Sequence, residues 1–127
     1  MAQLLSPEWF EIVVAEAATL PERRGASGRV RLVVGEAKRA EQRYEVVFLD
    51  GRVTSAGLGG EGDVDVELLA TGAILSALAT GQLDSQTALM QGKLKSSSTG
   101  PILRLLPVLQ SPEWGALEAA VAAQTQA

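Results

Sequence analysis

The stretch Thr80–Leu106, "TGQLDSQTALMQGKLKSSSTGPILRLL", packs two helix ends, two helix starts and a strand into 27 residues. Gly81 supplies the left-handed residue that closes a helix arriving from Thr71, and Asp84 is placed to cap the next one. That helix runs through Gln91 and is closed by Gly92. "GKLKSS" then reads as a short strand, and "GPILRLLPVLQ" as a helix opened by Pro101 and interrupted or ended near Pro107. Ser98 or Thr99 is placed to cap it.

Working toward the N-terminus, "DVDVELLA" alternates: Asp63, Asp65 and Glu67 on one side, Val64, Val66 and Leu68 on the other. "YEVVFLDGRVTSAG" predicts a hairpin turning at Asp50-Gly51, which sets Phe48 against Val53 and Val46 against Ser55. "GRVRLVVG" puts Val30, Leu32 and Val34 on one face. A sheet with one wet and one dry face suits antiparallel pairing. "SPEW" occurs at Ser6–Trp9 and again at Ser111–Trp114. Both copies give one instruction: a Ser cap, a Pro at the first helical position and an acid at the positive end of the helix dipole. Phe10, Val13, Val14 and Ala17 recur at helical spacing after the first, and Trp114, Leu117 and Val121 within and after the second. The order of helix, strands, then helices with one late strand predicts an α+β fold in a single domain, 1–127.

Composition excludes more than it selects. There are no histidines and no cysteines, which removes Ser-His-Asp and Cys-His catalysis, ordinary zinc sites and thiolate or imidazole haem ligation. The expectation is a non-enzyme without metal or cofactor. A net charge of -4 argues against nucleic-acid binding. No apolar run approaches a membrane span, and "MAQLLSPEW" has no leader pattern, so the cytoplasm is the expected compartment. Lys93 and Lys95 are too few to hold a membrane beyond transient contact. Gly57, Gly59 and Gly62 meet the G-x-G-x-x-G spacing, but an acidic strand follows where a phosphate site needs a helix N-terminus. The acids of "DVDVE" read as a solvated sheet face rather than a cation site.

Ile102, Leu103, Leu105, Leu106, Val108 and Leu109 go nearly all the way round their helix, with Arg104 the sole charge. One face can pack on the sheet; the other needs the C-terminal helix, a second subunit or a ligand. Ile74, Leu75, Leu78, Leu83, Leu89 and Met90 add adaptable aliphatic surface of the kind an apolar cavity uses.

The central stretch resembles the sterol carrier protein type-2 family. Gly81, Leu83 and Asp84 match its Gly-x-Leu-Asp/Asn turn, and Ala88, Gly92, Lys93, Leu94 and Lys95 its Ala-x-x-x-Gly-Lys-Leu-Lys segment. The resemblance implies a twisted, largely antiparallel five-stranded sheet covered by helices, with an apolar tunnel between them. It implies binding of a fatty acid, acyl-CoA or sterol-like lipid, with no catalytic residues. Val46, Phe48, Val66 and Leu68 would form one wall. Ile74, Leu75, Leu78, Leu89, Met90, Ile102, Leu105, Leu106 and Leu109 would form the other, with Leu94 and Ser96 on the late strand. Ser96 stands where the family has an apolar residue, and its hydroxyl leaves room for a ligand with a polar end. The rival expectation is an accessory or dimerising module of the same fold, in which the apolar helix buries against a second copy.

Overall fold

The computed structural model describes residues 2–35, 42–59, 62–96 and 99–126. Among them run β1 (Ala2–Gln3), α1 (Pro7–Ala17), β2 (Gly28–Val34), β3 (Gln42–Leu49), β4 (Arg52–Leu58) and β5 (Val66–Ala70). These are followed by α2 (Gly72–Ala79), α3 (Ser85–Met90), β6 (Lys95–Ser96), α4 (Thr99–Leu109), α5 (Pro112–Ala122) and β7 (Thr125–Gln126). The architecture is α+β. Ser98 and the side chain of Thr99, the expected caps of α4, lie outside the described residues, as does Glu61 of the glycine-rich loop.

Both SPEW copies start helices by the same bond. The Ser6 hydroxyl accepts the Trp9 backbone N–H at 3.1 Å, and the Ser111 hydroxyl accepts that of Trp114 at 3.2 Å. Thr71 caps α2 through the Ile74 N–H at 3.2 Å. Asp84 occupies the cap position of α3 without making a side-chain cap bond. Gly81 and Gly92 take positive φ, as helix-closing residues do. Pro107 neither breaks nor ends α4, which continues to Leu109.

The main sheet has the strand order β4-β3-β2-β5-β6. Three of its pairings are antiparallel, but the central β2–β5 pair is parallel, with Val30 opposite Val66 and Leu32 opposite Leu68. The alternating pattern of β5 fits either sense, because side-chain period does not report strand direction. The Asp50-Gly51 turn closes the β3–β4 hairpin with φ of 48° and 87°. Phe48 does face Val53, but Val46 faces Ala56 rather than Ser55. A bulge in β4 at Thr54 shifts the register by one residue beyond Val53 and turns Ala56 inward in place of Ser55.

The inner sheet face buries Val30, Leu32, Val34, Phe48, Val53, Val66 and Leu68 against helical residues that include Phe10, Leu75, Leu105 and Leu117. On the outer face Arg31, only 7% exposed, pairs with Glu45 at 3.4 Å and Glu67 at 3.6 Å, and donates to the Gly62 carbonyl. Asp65 accepts the Arg29 backbone N–H at 2.8 Å. The acids at positions 65 and 67 thus hold the sheet's own cations and backbone. No cluster of metal-ligating side chains occurs among the described residues.

Candidate functional site

A cavity of about 130 Å³ lies between the inner face of the hairpin and three helices. Helix α1 contributes Trp9, Phe10 and Val13; β3 contributes Tyr44 and Val46; β4 contributes Ala56. Leu75, Leu78 and Ala79 come from α2, and Trp114, Leu117, Glu118 and Val121 from α5. Helical spacing makes these sets continuous: 9, 10 and 13 share one face of α1, and 114, 117, 118 and 121 one face of α5. The two capped helices therefore roof the cavity, and the sheet forms its floor.

The chain has five aromatic residues, and all five gather here. Trp9, Phe10 and Tyr44 form a cluster with ring centroids 5.1 to 6.2 Å apart, Trp9 edge-on to both others and Phe10 tilted against Tyr44. Trp114 packs against Phe48 at 5.7 Å on the opposite side. Rigid rings hold the walls apart where flexible aliphatic chains would collapse. Burial raises the Tyr44 phenol well above its usual value, so it stays neutral.

One wall is polar. Glu118 accepts from the Ser85 hydroxyl at 3.2 Å. Burial pushes its carboxyl above the usual range, and the nearby negative charge of Asp84 adds to that, while hydrogen bonds from Ser85 and the Trp114 indole oppose it. The indole N–H of Trp114, one turn earlier on α5, stands beside this carboxyl and favours its charged form. It is buried, and no acceptor among the described residues meets it at full hydrogen-bonding geometry.

Three of the residues expected to form a ligand wall line this cavity: Val46, Leu75 and Leu78. Phe48, Val66, Leu68, Leu94, Ile102 and Leu105 are buried in the surrounding core. Ile74, Leu89 and Leu109 pack on its margin, and Leu106 is half-buried. Met90 is 79% exposed at the end of α3. Ser96 is half-buried and sits opposite Leu68 in the β5–β6 pair. Helix α4 buries Ile102, Leu105 and Val108 and touches α5, while Leu103 stays 59% exposed. The residues missed by sequence reasoning are mostly on α1 and α5. The signal that could have found them was the concentration of scarce aromatics just inside the two SPEW caps.

Residues 11–97 match the SCP-2 sterol transfer family. The crystal structure of a sterol carrier protein 2 superposes with a TM-score of 0.70 at 21% identity, covering 94% of this chain and 97% of the other. The solution structure of a possible sterol carrier protein from Thermus thermophilus gives 0.69 at 20% identity, covering 94% and 90%. Palmitated SCP2L2 of Aedes aegypti gives 0.62 at 20% identity, covering 84% and 96%. No curated protein sequence matches the chain at a significant level.

Proposed function

The chain belongs to the SCP-2 sterol transfer family, and from that premise we propose that it is a non-catalytic carrier for one apolar small molecule of the fatty acid, acyl-CoA or sterol-like class. The observation that carries this reading is the apolar cavity under α1, α2 and α5. A natural core is close-packed, with few voids larger than a water molecule. A partly open pocket of about 130 Å³ that reaches into that core and is lined by rings and leucines is the seed of a binding site.

That volume is near that of an engineered cavity of about 150 Å³ that takes up benzene. A lipid therefore needs α1, α2 and α5 to part and extend the space. The driving force is adequate. Burying roughly 300–400 Å² of guest surface at about 25 cal/mol/Å² contributes about 8–10 kcal/mol before association costs. Those costs reduce it to roughly micromolar affinity, which suits a protein that must also release its cargo.

Titration of delipidated protein with fluorescent fatty acid, acyl-CoA and sterol probes is expected to give saturable binding to at least one class. No saturable binding to any of the three rejects the carrier. A second reading, a dimerising module, draws on the exposed Leu103 and Met90. Sedimentation of the delipidated protein separates the two: a tight dimer that binds none of the probes favours the module.

A further inference from the structure

We infer that the polar wall of the cavity selects the head of its guest: Trp114 and Glu118 together form a slot for a neutral, oxygen-bearing head group, and the site rejects carboxylate and phosphate heads. The inference rests on the carrier reading above and adds the chemistry of the guest's polar end.

The first ground is an unmade hydrogen bond. Trp9 and Trp114 hold the same place in two identical helix starts, but only Trp9 has its indole N–H satisfied, by the Thr125 hydroxyl at 3.0 Å. The Trp114 N–H is buried on a residue that lines the cavity, and its neighbour is the Glu118 carboxyl, which it approaches without reaching full hydrogen-bonding geometry. Leaving such a donor unpaired is costly, and a guest oxygen at this point would remove that cost.

The second ground is the fixed neighbour. Glu118 is held by Ser85 at 3.2 Å, so its carboxyl cannot swing freely into solvent. Burial shifts it toward the neutral form, and in either form its oxygens accept a hydrogen bond from a guest hydroxyl. An oxygen placed between the two side chains can take the indole N–H and exchange a second hydrogen bond with the carboxyl.

The third ground is sign. Among the described residues no lysine or arginine lines the cavity, and the further charge acting on Glu118 is Asp84, also acidic. A carboxylate or phosphate brought here would lose its hydration and meet no cation. A hydroxyl or carbonyl carries no such penalty.

The test is calorimetric titration of the delipidated full chain at neutral pH with decan-1-ol, decanoate and decylamine, which share one tail length. Decan-1-ol is expected to bind about tenfold tighter than decanoate. Trp114→Phe keeps a ring against Phe48 and is expected to lower the alcohol's affinity about five- to tenfold. Glu118→Gln is neutral at every pH and is expected to keep the alcohol's affinity, whereas Glu118→Leu removes the second hydrogen bond and is expected to lower it about five- to tenfold. Equal affinities for the three compounds overturn head selection while leaving the carrier intact. Tightest binding of decylamine also overturns it, since an ionised Glu118 would then be holding a cation. No binding of any of them overturns both readings.

Discussion

Trp9 donates its indole N–H to the Thr125 hydroxyl at 3.0 Å, joining the first helix to the last strand across 116 residues of sequence. Thr125 is buried and donates its own hydroxyl proton to the Val121 carbonyl at 2.7 Å. Beside this chain of bonds β1 and β7 pair in parallel, Ala2 opposite Thr125. β1 and β7 are thus fastened to each other beside α1.

Thr125→Val strands the Trp9 donor in a buried place. The expected cost is about 1–3 kcal/mol in urea unfolding. In a Trp9→Phe background the same substitution should cost about 1 kcal/mol less, because no indole donor remains to be stranded. Strict additivity of the two changes would show that the bond contributes nothing to stability.

The tip of the β3–β4 hairpin is stapled to the preceding loop. The Arg23 N–H donates to the Asp50 carbonyl at 2.6 Å, the Gly51 N–H to the Ala26 carbonyl at 2.9 Å, and the Asp50 N–H to the Ser27 hydroxyl at 2.9 Å. A Cβ on Gly51 would stand 2.8 Å from Arg23 Cβ and 2.9 Å from its backbone nitrogen, at a φ of 87°. Gly51→Ala is expected to cost about 2–4 kcal/mol, the sum of left-handed strain and overlap. Gly25 has a similar φ of 82° but open space around it, so Gly25→Ala should cost only about 1–2 kcal/mol. Equal losses at the two sites would mean the hairpin tip yields freely.

Glu118 makes stability depend on pH with a definite sign. Its carboxyl is raised in the folded protein by burial first, then by Asp84, against hydrogen bonds from Ser85 and the Trp114 indole. A raised acid binds its proton more tightly folded than unfolded. Its stabilising contribution is therefore complete below the ordinary carboxylate value and is lost as pH climbs through the raised one. Glu118→Gln should flatten that decline in a plot of Tm against pH. A variant curve parallel to the parent's across this window would show that the carboxyl is not desolvated.

The parts legible in the sequence are those set locally. Ser6, Ser111 and Thr71 cap helices through bonds three residues away, and Asp50-Gly51 turns a hairpin by its own dihedral preferences. Gly81 through Lys95 carries enough such punctuation to identify the family. The less legible parts are set by distant partners. Nothing near Val66 says that it lies parallel to Val30. Nothing near Ser55 announces the bulge that exchanges it for Ala56. The cavity suffers most, because its lining joins positions 9 through 121 and apolar pattern cannot separate a residue facing a void from one facing another side chain. Leu105, 1% exposed, and Leu78, on the cavity wall, look alike in sequence.

That last pair of environments can be separated by substitution. Ala79 lines the cavity, so Ala79→Leu pushes an aliphatic side chain into the void. It should lower the affinity for a bound lipid probe at least about tenfold. Its melting temperature should hold or rise, since filling a cavity regains about 24 cal/mol per Å³. Leu105 lies in the packed core outside the lining, so Leu105→Ala should cost about 2–5 kcal/mol while the folded fraction binds the probe as before. Affinity and stability then move independently: one variant loses binding without unfolding, the other loses stability without losing binding. If affinity instead tracks stability in both, the guest lies elsewhere than beneath α1, α2 and α5.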